Sequence, residues 1–168
     1  MPQIKFPQIF RFVVKYARAQ LVNARYARIK KLHGVRRDED GRVYAYATTY
    51  STKVFDFKLK RWVKKPIRYY DTFVMVNPKK RSVVLSCSCA DFMYRHEVAL
   101  WKRGGAELEY SNGMAPKKTN PKMRATCCKH CLRLYQYLST NKKYSSIFEP
   151  MSDLTQAIGS QWQVKTGK

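Results

Sequence analysis

An α+β fold is predicted for this chain, and three observations predict it. Apolar residues recur at three- and four-residue steps in the first 34 positions, alternate with polar ones from about 43 to 87, and return to helical spacing beyond 91. The five cysteines fall in two tight clusters, one closing an alternating run and one opening a helical run. Lys and Arg number 34 against 11 Asp and Glu, a formal net charge of +23.

The first element is read from "PQIFRFVVKYARAQLVNARYARIKKLHG", roughly residues 7–34. Phe10, Val14, Ala17, Leu21 and Ala24 share one face of a helix, and Gly34 is a plausible stop after a lysine-rich turn. The expectation is one long basic amphipathic helix occupying residues 1–37. Arg11, Lys15, Arg18, Arg25 and Arg28 lie off the apolar stripe and would form a cationic surface along it.

After "RRDEDG" the period changes. "RVYAYATTY", "KVFDFKL", "YYDTFVMV" and "RSVVLSCSC" are short runs rich in Val, Tyr, Phe and Thr, separated by "ST", "KRWVKKPI" and "NPKK". They predict an antiparallel meander of about four strands. "NPKK" is the clearest hairpin signal, and Lys79, Lys80 and Arg81 would crown that turn.

"DFMYRHEVALWKRGG" predicts a helix from about Asp91 to Arg103, with Asp91 capping it and Gly-Gly ending it. "SNGMAPKKTNPKMRAT" is dense in Asn, Gly and Pro and reads as an exposed, mobile loop carrying Lys117, Lys118, Lys122 and Arg124. "CCKHCLRLYQYLSTNKK" is helical through Leu132, Tyr135 and Leu138, and residues 144–168 read as a tail with a short helix and a frayed end. The organisation expected is therefore a helix over 1–37, a sheet with its cysteine-bearing module over 38–143, and the tail.

Composition bounds the function. Apolar residues make up 45% of the chain and aromatics 14%, so it should fold around one core despite its charge. A surplus of cations this large repels itself unless a polyanion offsets it, and nucleic acid is the default partner. No run approaches 18 consecutive apolar residues, which argues against a transmembrane helix and a membrane partner. Residues 1–37 carry ten Lys and Arg and no acid, but they are too poor in Ser for a transit peptide.

An odd count of clustered cysteines fits a reducing compartment and a metal better than a disulfide framework. Cys87 and Cys89 on one strand point the same way and cannot easily pair with each other. Cys128 and His130 open a helix and can face them. Three thiolates and an imidazole are the number and type of ligand that a closed tetrahedral Zn²⁺ site uses. Cys131 in place of His130, giving four cysteines, is chemically reasonable, although a helix would turn Cys131 inward as a small apolar side chain. His33 and His96 read as surface or packing residues. Four protein ligands leave no open position, and no P-loop, dinucleotide fingerprint or HExxH helix is present, so no enzymatic activity is expected.

"CSCADF" followed by "CKHCLRLYQYL", with the hairpin "TFVMVNPKKRSVVLS" before them, resembles a SWIM-type zinc finger over about residues 69–139. That family's pattern is Cys-x-Cys, a variable spacer, then Cys-x-His opening a helix. The resemblance implies a strand-strand-helix zinc fold used for binding DNA or protein. Here the spacer is longer than usual and carries its own helix and basic loop.

The function expected is a non-catalytic, zinc-stabilised nucleic-acid-binding protein, with DNA ahead of RNA. Phosphates would meet the residues of the basic helix, the turn and the loop named above, together with Lys129 and Arg133 at the rim of the metal site. Such a protein would be cytoplasmic or nucleoid-associated. The alternative is a structural subunit of a large nucleoprotein assembly, such as a virion with its head-to-tail connection or a transcription complex. Other protein subunits would then cover part of the surface.

Overall fold

A computed structural model gives the fold over residues 3–158, the residues described throughout. The architecture is α+β. Two helices, α1 (Phe6–Tyr16) and α2 (Arg18–Ala24), lead into strands β1 (Ala27–Arg37), β2 (Val43–Ser51), β3 (Lys53–Asp56), β4 (Arg61–Lys64), β5 (Tyr70–Asn77) and β6 (Ser82–Cys87). A π-helical turn (Phe92–His96), α3 (Glu97–Trp101), α4 (Lys129–Thr140) and α5 (Ser152–Ile158) follow. No helix among the described residues is long and apolar enough to cross a membrane.

The four-stranded antiparallel sheet has the order β1-β2-β5-β6, while β3 and β4 form a separate two-stranded ribbon. Alternation in β2 turns Val43, Ala45 and Ala47 inward, and β5 and β6 add Val74, Val76, Val83 and Leu85 to the same core. Phe6, Ile9, Phe10 and Val13 of α1 and Leu132, Leu134 and Leu138 of α4 cover that face. Each large apolar side chain so buried contributes about 1.5–3 kcal/mol. The outer edge of β6 is sealed, since Val83 donates to the Ile4 carbonyl at 3.0 Å and Leu85 to that of Gly105 at 2.9 Å. Gly105 has to be glycine there, because a Cβ would sit 2.6 Å from the Ile4 side chain.

Several expectations are corrected. The long N-terminal helix is short: it breaks at Ala17 (φ −137°, ψ 42°), and residues 27–37 are strand β1 paired with β2. Register shifts between Ile29 and Lys31 and between Leu32 and Gly34 disturb the strand's alternation and hide its period in the sequence. Val14 is 48% exposed rather than part of the buried stripe. The fourth strand of the sheet is β1, not "KVFDFKL". That segment forms β3 and folds back on β4, whose residues had been read as a linker.

The N-terminal helices and residues 144–158 are not appendages. One cluster of buried residues runs from Ile4 to Phe148, Leu154 and Ile158. Phe6 stacks on Tyr135 with ring centroids 3.5 Å apart, and Phe148 meets Tyr135 edge-on at 6.2 Å. The frayed end expected for the tail lies outside the described residues.

Candidate metal centre and basic surface

Strand β6 ends at Cys87 and the π-helix begins five residues on, at Phe92, and across this turn Cys87 and Cys89 face one interior point. Helix α4 begins at Lys129 with Cys128 as its extended N-cap residue, which brings Cys128 and His130 to the same point from the other side. The ligand atoms of Cys87, Cys89, Cys128 and His130 all lie within 4.8 Å of one another, and all four residues are buried. They could hold a metal ion. Cys87 Sγ is 3.7 Å from His130 Nδ1.

The surroundings orient these groups. Ser51 Oγ lies 3.4 Å from His130 Nε2, leaving Nδ1 to face the sulfurs, and the Tyr70 ring packs on the imidazole with centroids 4.9 Å apart. Thr72 Oγ1 is 3.5 Å from Cys87 Sγ, and the backbone N–H of Phe92 donates to Cys89 Sγ at 3.4 Å. Burial pushes the Cys87 thiol up, but hydrogen bonds from Cys128, Cys131, Cys89 and His130 outweigh it and hold Cys87 well below the usual thiol range. Burial holds Cys128 and Cys131 well above it. One thiolate is thus favoured, and each further one is opposed until a cation joins the cluster.

Cys131 Sγ is 3.7 Å from Cys128 Sγ and equally 3.7 Å from the Ser86 carbonyl oxygen, to which it donates. Cys127 is buried, and burial and the charge of Asp91 hold its thiol above its ordinary range. Thr72 is legible in the sequence, because the hairpin about "NPKK" sets it opposite Cys87, as the β5–β6 register does. Ser51 and Tyr70 have no such signal and meet the site only through the sheet.

Asp91 does not cap the helix. Its Oδ2 faces His96 Nε2 at 3.1 Å and its Oδ1 faces Arg95 at 3.4 Å, and the hydrogen bond and charge of His96 overcome burial to lower its carboxyl. His96 is fully buried, with Nδ1 against Thr126 Oγ1 at 2.9 Å. His33 is exposed on β1 and meets Thr48 Oγ1 at 2.8 Å.

The expected phosphate contacts have varied fates. Arg11, Lys15 and Arg18 are exposed on α1 and α2, and Arg25 is exposed just beyond, donating to the Ala157 carbonyl at 3.2 Å. Arg28 is half-buried on β1 and caps the Arg25 and Ala27 carbonyls. Lys79 and Lys80 are exposed on the β5–β6 turn, while Arg81 is held by both oxygens of Glu149 at 2.8 and 2.7 Å. Lys117, Lys118 and Lys122 are exposed, and Arg124 and Lys129 are half-buried.

Arg133 is the correction: it is 2% exposed and reaches no rim. Its Nε donates to the carbonyls of Ala24 and Ala27 at 3.0 Å each and its Nη2 to that of Arg25 at 2.9 Å. Burial, and then the charge of Arg28, lower its pKa to about 10. It ties α4 to the turn between α2 and β1.

The loop expected to be mobile is tethered. Asn120, 8% exposed, donates to the Arg95 and Arg124 carbonyls at 3.0 and 2.8 Å and accepts from the Arg124 N–H at 3.0 Å. Thr119 donates to the Tyr94 carbonyl at 2.6 Å. Upstream, the fully buried carboxylate of Glu97 gathers the N–H groups of Glu109, Tyr110 and Ser111. No family model, curated protein or solved structure matches this chain.

Proposed function

We propose that this is a non-catalytic, zinc-stabilised protein that binds nucleic acid through phosphate contacts, with DNA preferred to RNA. The observation that carries the metal reading is the convergence of Cys87, Cys89, Cys128 and His130, all buried, within 4.8 Å. A tetrahedral zinc with Zn–S near 2.3 Å and Zn–N near 2.0–2.1 Å sets neighbouring ligand atoms about 3.5–3.8 Å apart. The 3.7 Å between Cys87 Sγ and His130 Nδ1 already fits that edge. The ion would join the end of β6 to the start of α4, in keeping with the SWIM-type arrangement, and its charge would offset clustered thiolates that burial otherwise opposes.

Nucleic-acid binding rests on the charge of +23 and on how its cations are presented. Lys117, Lys118, Lys122 and Arg124 stand on a loop that Asn120 and Thr119 hold in one shape, and Lys79 and Lys80 stand on a tight turn. A rigid array loses less conformational entropy on meeting phosphates than free lysines would. Titration with short single-stranded and duplex DNA tests the reading. With six or more phosphates contacted, affinity is expected to fall about a thousandfold or more between 50 and 200 mM salt, and weak binding with a flat salt response refutes it.

A groove between α1, α2 and α5 favours the second reading, a subunit of a nucleoprotein assembly. Its floor is Phe10, Val14, Leu21 and Met151 and its rim is Arg11, Arg18 and Arg25. Salt-resistant, stoichiometric retention in a purified particle is the observation that selects it.

A further inference from the structure

Away from the cysteines, three cationic side chains converge on one small cleft. Arg95 comes from the π-helix, Lys122 and Arg124 from the loop after α3, and Tyr16 from the end of α1; with Thr119 and Thr126 they line about 240 Å³. The Arg124 guanidinium carbon sits 3.3 Å from the centre of the Tyr16 ring, so the side chain is held against an aromatic face with its N–H edge presented. Asn120 fixes the backbone of Arg124 from the N–H and the carbonyl at once.

Arg95 shares one nitrogen with Asp91, yet its Nε is buried with no hydrogen-bond partner, and such a group in a native fold calls for one. Among the described residues, neither Lys122 nor Arg124 forms an ion pair. A hydrogen bond from Lys15, then the charges of Lys15, Arg124 and Lys122, hold the Tyr16 phenol below its ordinary value despite some desolvation, which registers the positive potential here.

Cations gathered around one cleft repel each other until an anion offsets them. A backbone phosphodiester brings one negative charge, whereas a phosphomonoester brings close to two and three acceptor oxygens on one atom. Guanidinium forks suit those oxygens in bidentate fashion, and a lysine adds a point charge. We infer that this cleft binds a phosphomonoester dianion, with Arg95 and Arg124 on its oxygens, Lys122 closing the charge and Tyr16 as the wall that positions Arg124. Two sources present that group: the phosphorylated end of a nucleic-acid strand, or a free nucleotide. Only the first rests on the nucleic-acid-binding reading.

The test titrates the full chain, as purified, with adenosine 5′-monophosphate while following its amide NMR spectrum. It then compares 5′-phosphorylated and 5′-hydroxyl forms of one single-stranded oligonucleotide. Saturable shifts confined to Tyr16, Arg95 and residues 119–124 are expected, abolished in Lys122→Gln/Arg124→Gln and retained in Lys64→Gln/Lys65→Gln, which removes equal charge from an exposed segment outside the proposed binding surface. A tenfold or larger preference for the phosphorylated strand that vanishes in the first variant assigns the strand end as source. Equal strand affinities with the nucleotide shifts intact assign the free nucleotide. Absence of those shifts, together with a strand preference that is absent or unchanged by the first variant, overturns the site. If strands then still bind with a steep salt dependence, the nucleic-acid reading stands without it; if nucleotide shifts persist while strands fail to bind, the cleft stands and that reading falls.

Discussion

Cys87 Sγ and His130 Nδ1 stand 3.7 Å apart although 43 residues separate them in the chain. Strand β6 and helix α4 meet at this contact, with the whole of the insertion looping out between its two halves. An ion held there would sit at the join between the sheet and the helical layer.

Replacing Cys128 by Ser is expected to remove about one zinc per chain and to unfold the β6–α4 join, because structural zinc sites contribute on the order of 10 kcal/mol to folding. Replacing Cys131 by Ala should leave the metal in place and cost about 1 kcal/mol, the scale of its hydrogen bond to the Ser86 carbonyl. Elemental analysis of both variants checks the ligand set, and metal loss from the Cys131 variant instead would exchange the two roles.

Loading the metal-free protein is expected to release protons. Cys87 is held below and Cys89 and Cys128 above the ordinary thiol range, so near neutral pH the latter two carry protons that an incoming metal must displace. About two protons should therefore leave per ion, and affinity should rise with pH until those thiols have lost their protons. Calorimetry in buffers of different ionisation enthalpy counts them; release of none would contradict a thiolate site.

Arg133→Met should destabilise the fold by about 1–3 kcal/mol, since it removes the charged donor from the carbonyls of Ala24, Arg25 and Ala27, of which Arg28 still meets the last two. Nucleic-acid affinity per folded molecule should not change, because the residue is 2% exposed. Denaturant titration and a salt-dependent binding curve separate the two effects.

Glu97→Gln should cost about 1–3 kcal/mol and speed amide exchange at residues 109–111, because a neutral amide offers one acceptor where the carboxylate gathers three N–H groups. Hydrogen exchange by mass spectrometry reads the segment directly. Unchanged protection there would mean that other contacts hold it.

Much of this fold is legible in the sequence because its signals are local. The alternation in "VYAYATTY" and "TFVMV", the "NPKK" turn and the helical spacing of Leu132, Tyr135 and Leu138 each arise from period-two or 3.6-residue geometry within one segment. Residues 27–37 misled because their lysine-rich run before Gly34 reads as a helix end and their bulges hide the strand period; only pairing with β2, a long-range event, selects the strand. "RWVK" misled because a four-residue strand has too few positions to show a period, and its partner β3 defines it.

The candidate site divides in the same way. Residue type and short spacing marked Cys87, Cys89, Cys128 and His130, since ligand chemistry needs those atoms and strand or helix geometry aims each pair together. Ser51 and Tyr70 carry no such mark, because ordinary sheet residues become neighbours of the cysteine cluster only when strands align, whereas Thr72 follows from the hairpin register opposite Cys87. Arg133 was misplaced because one turn beyond a ligand on a helix can face solvent or core. Tertiary packing decided that it faces core, where the carbonyls of Ala24, Arg25 and Ala27 at the α2–β1 turn supply the acceptors a buried guanidinium requires. The sequence alone determined the class of fold, the positive charge and the two halves of the Cys/His cluster. The tertiary structure decided which cations remain at the surface, because desolvation and hydrogen-bond satisfaction are set by neighbours distant in the chain.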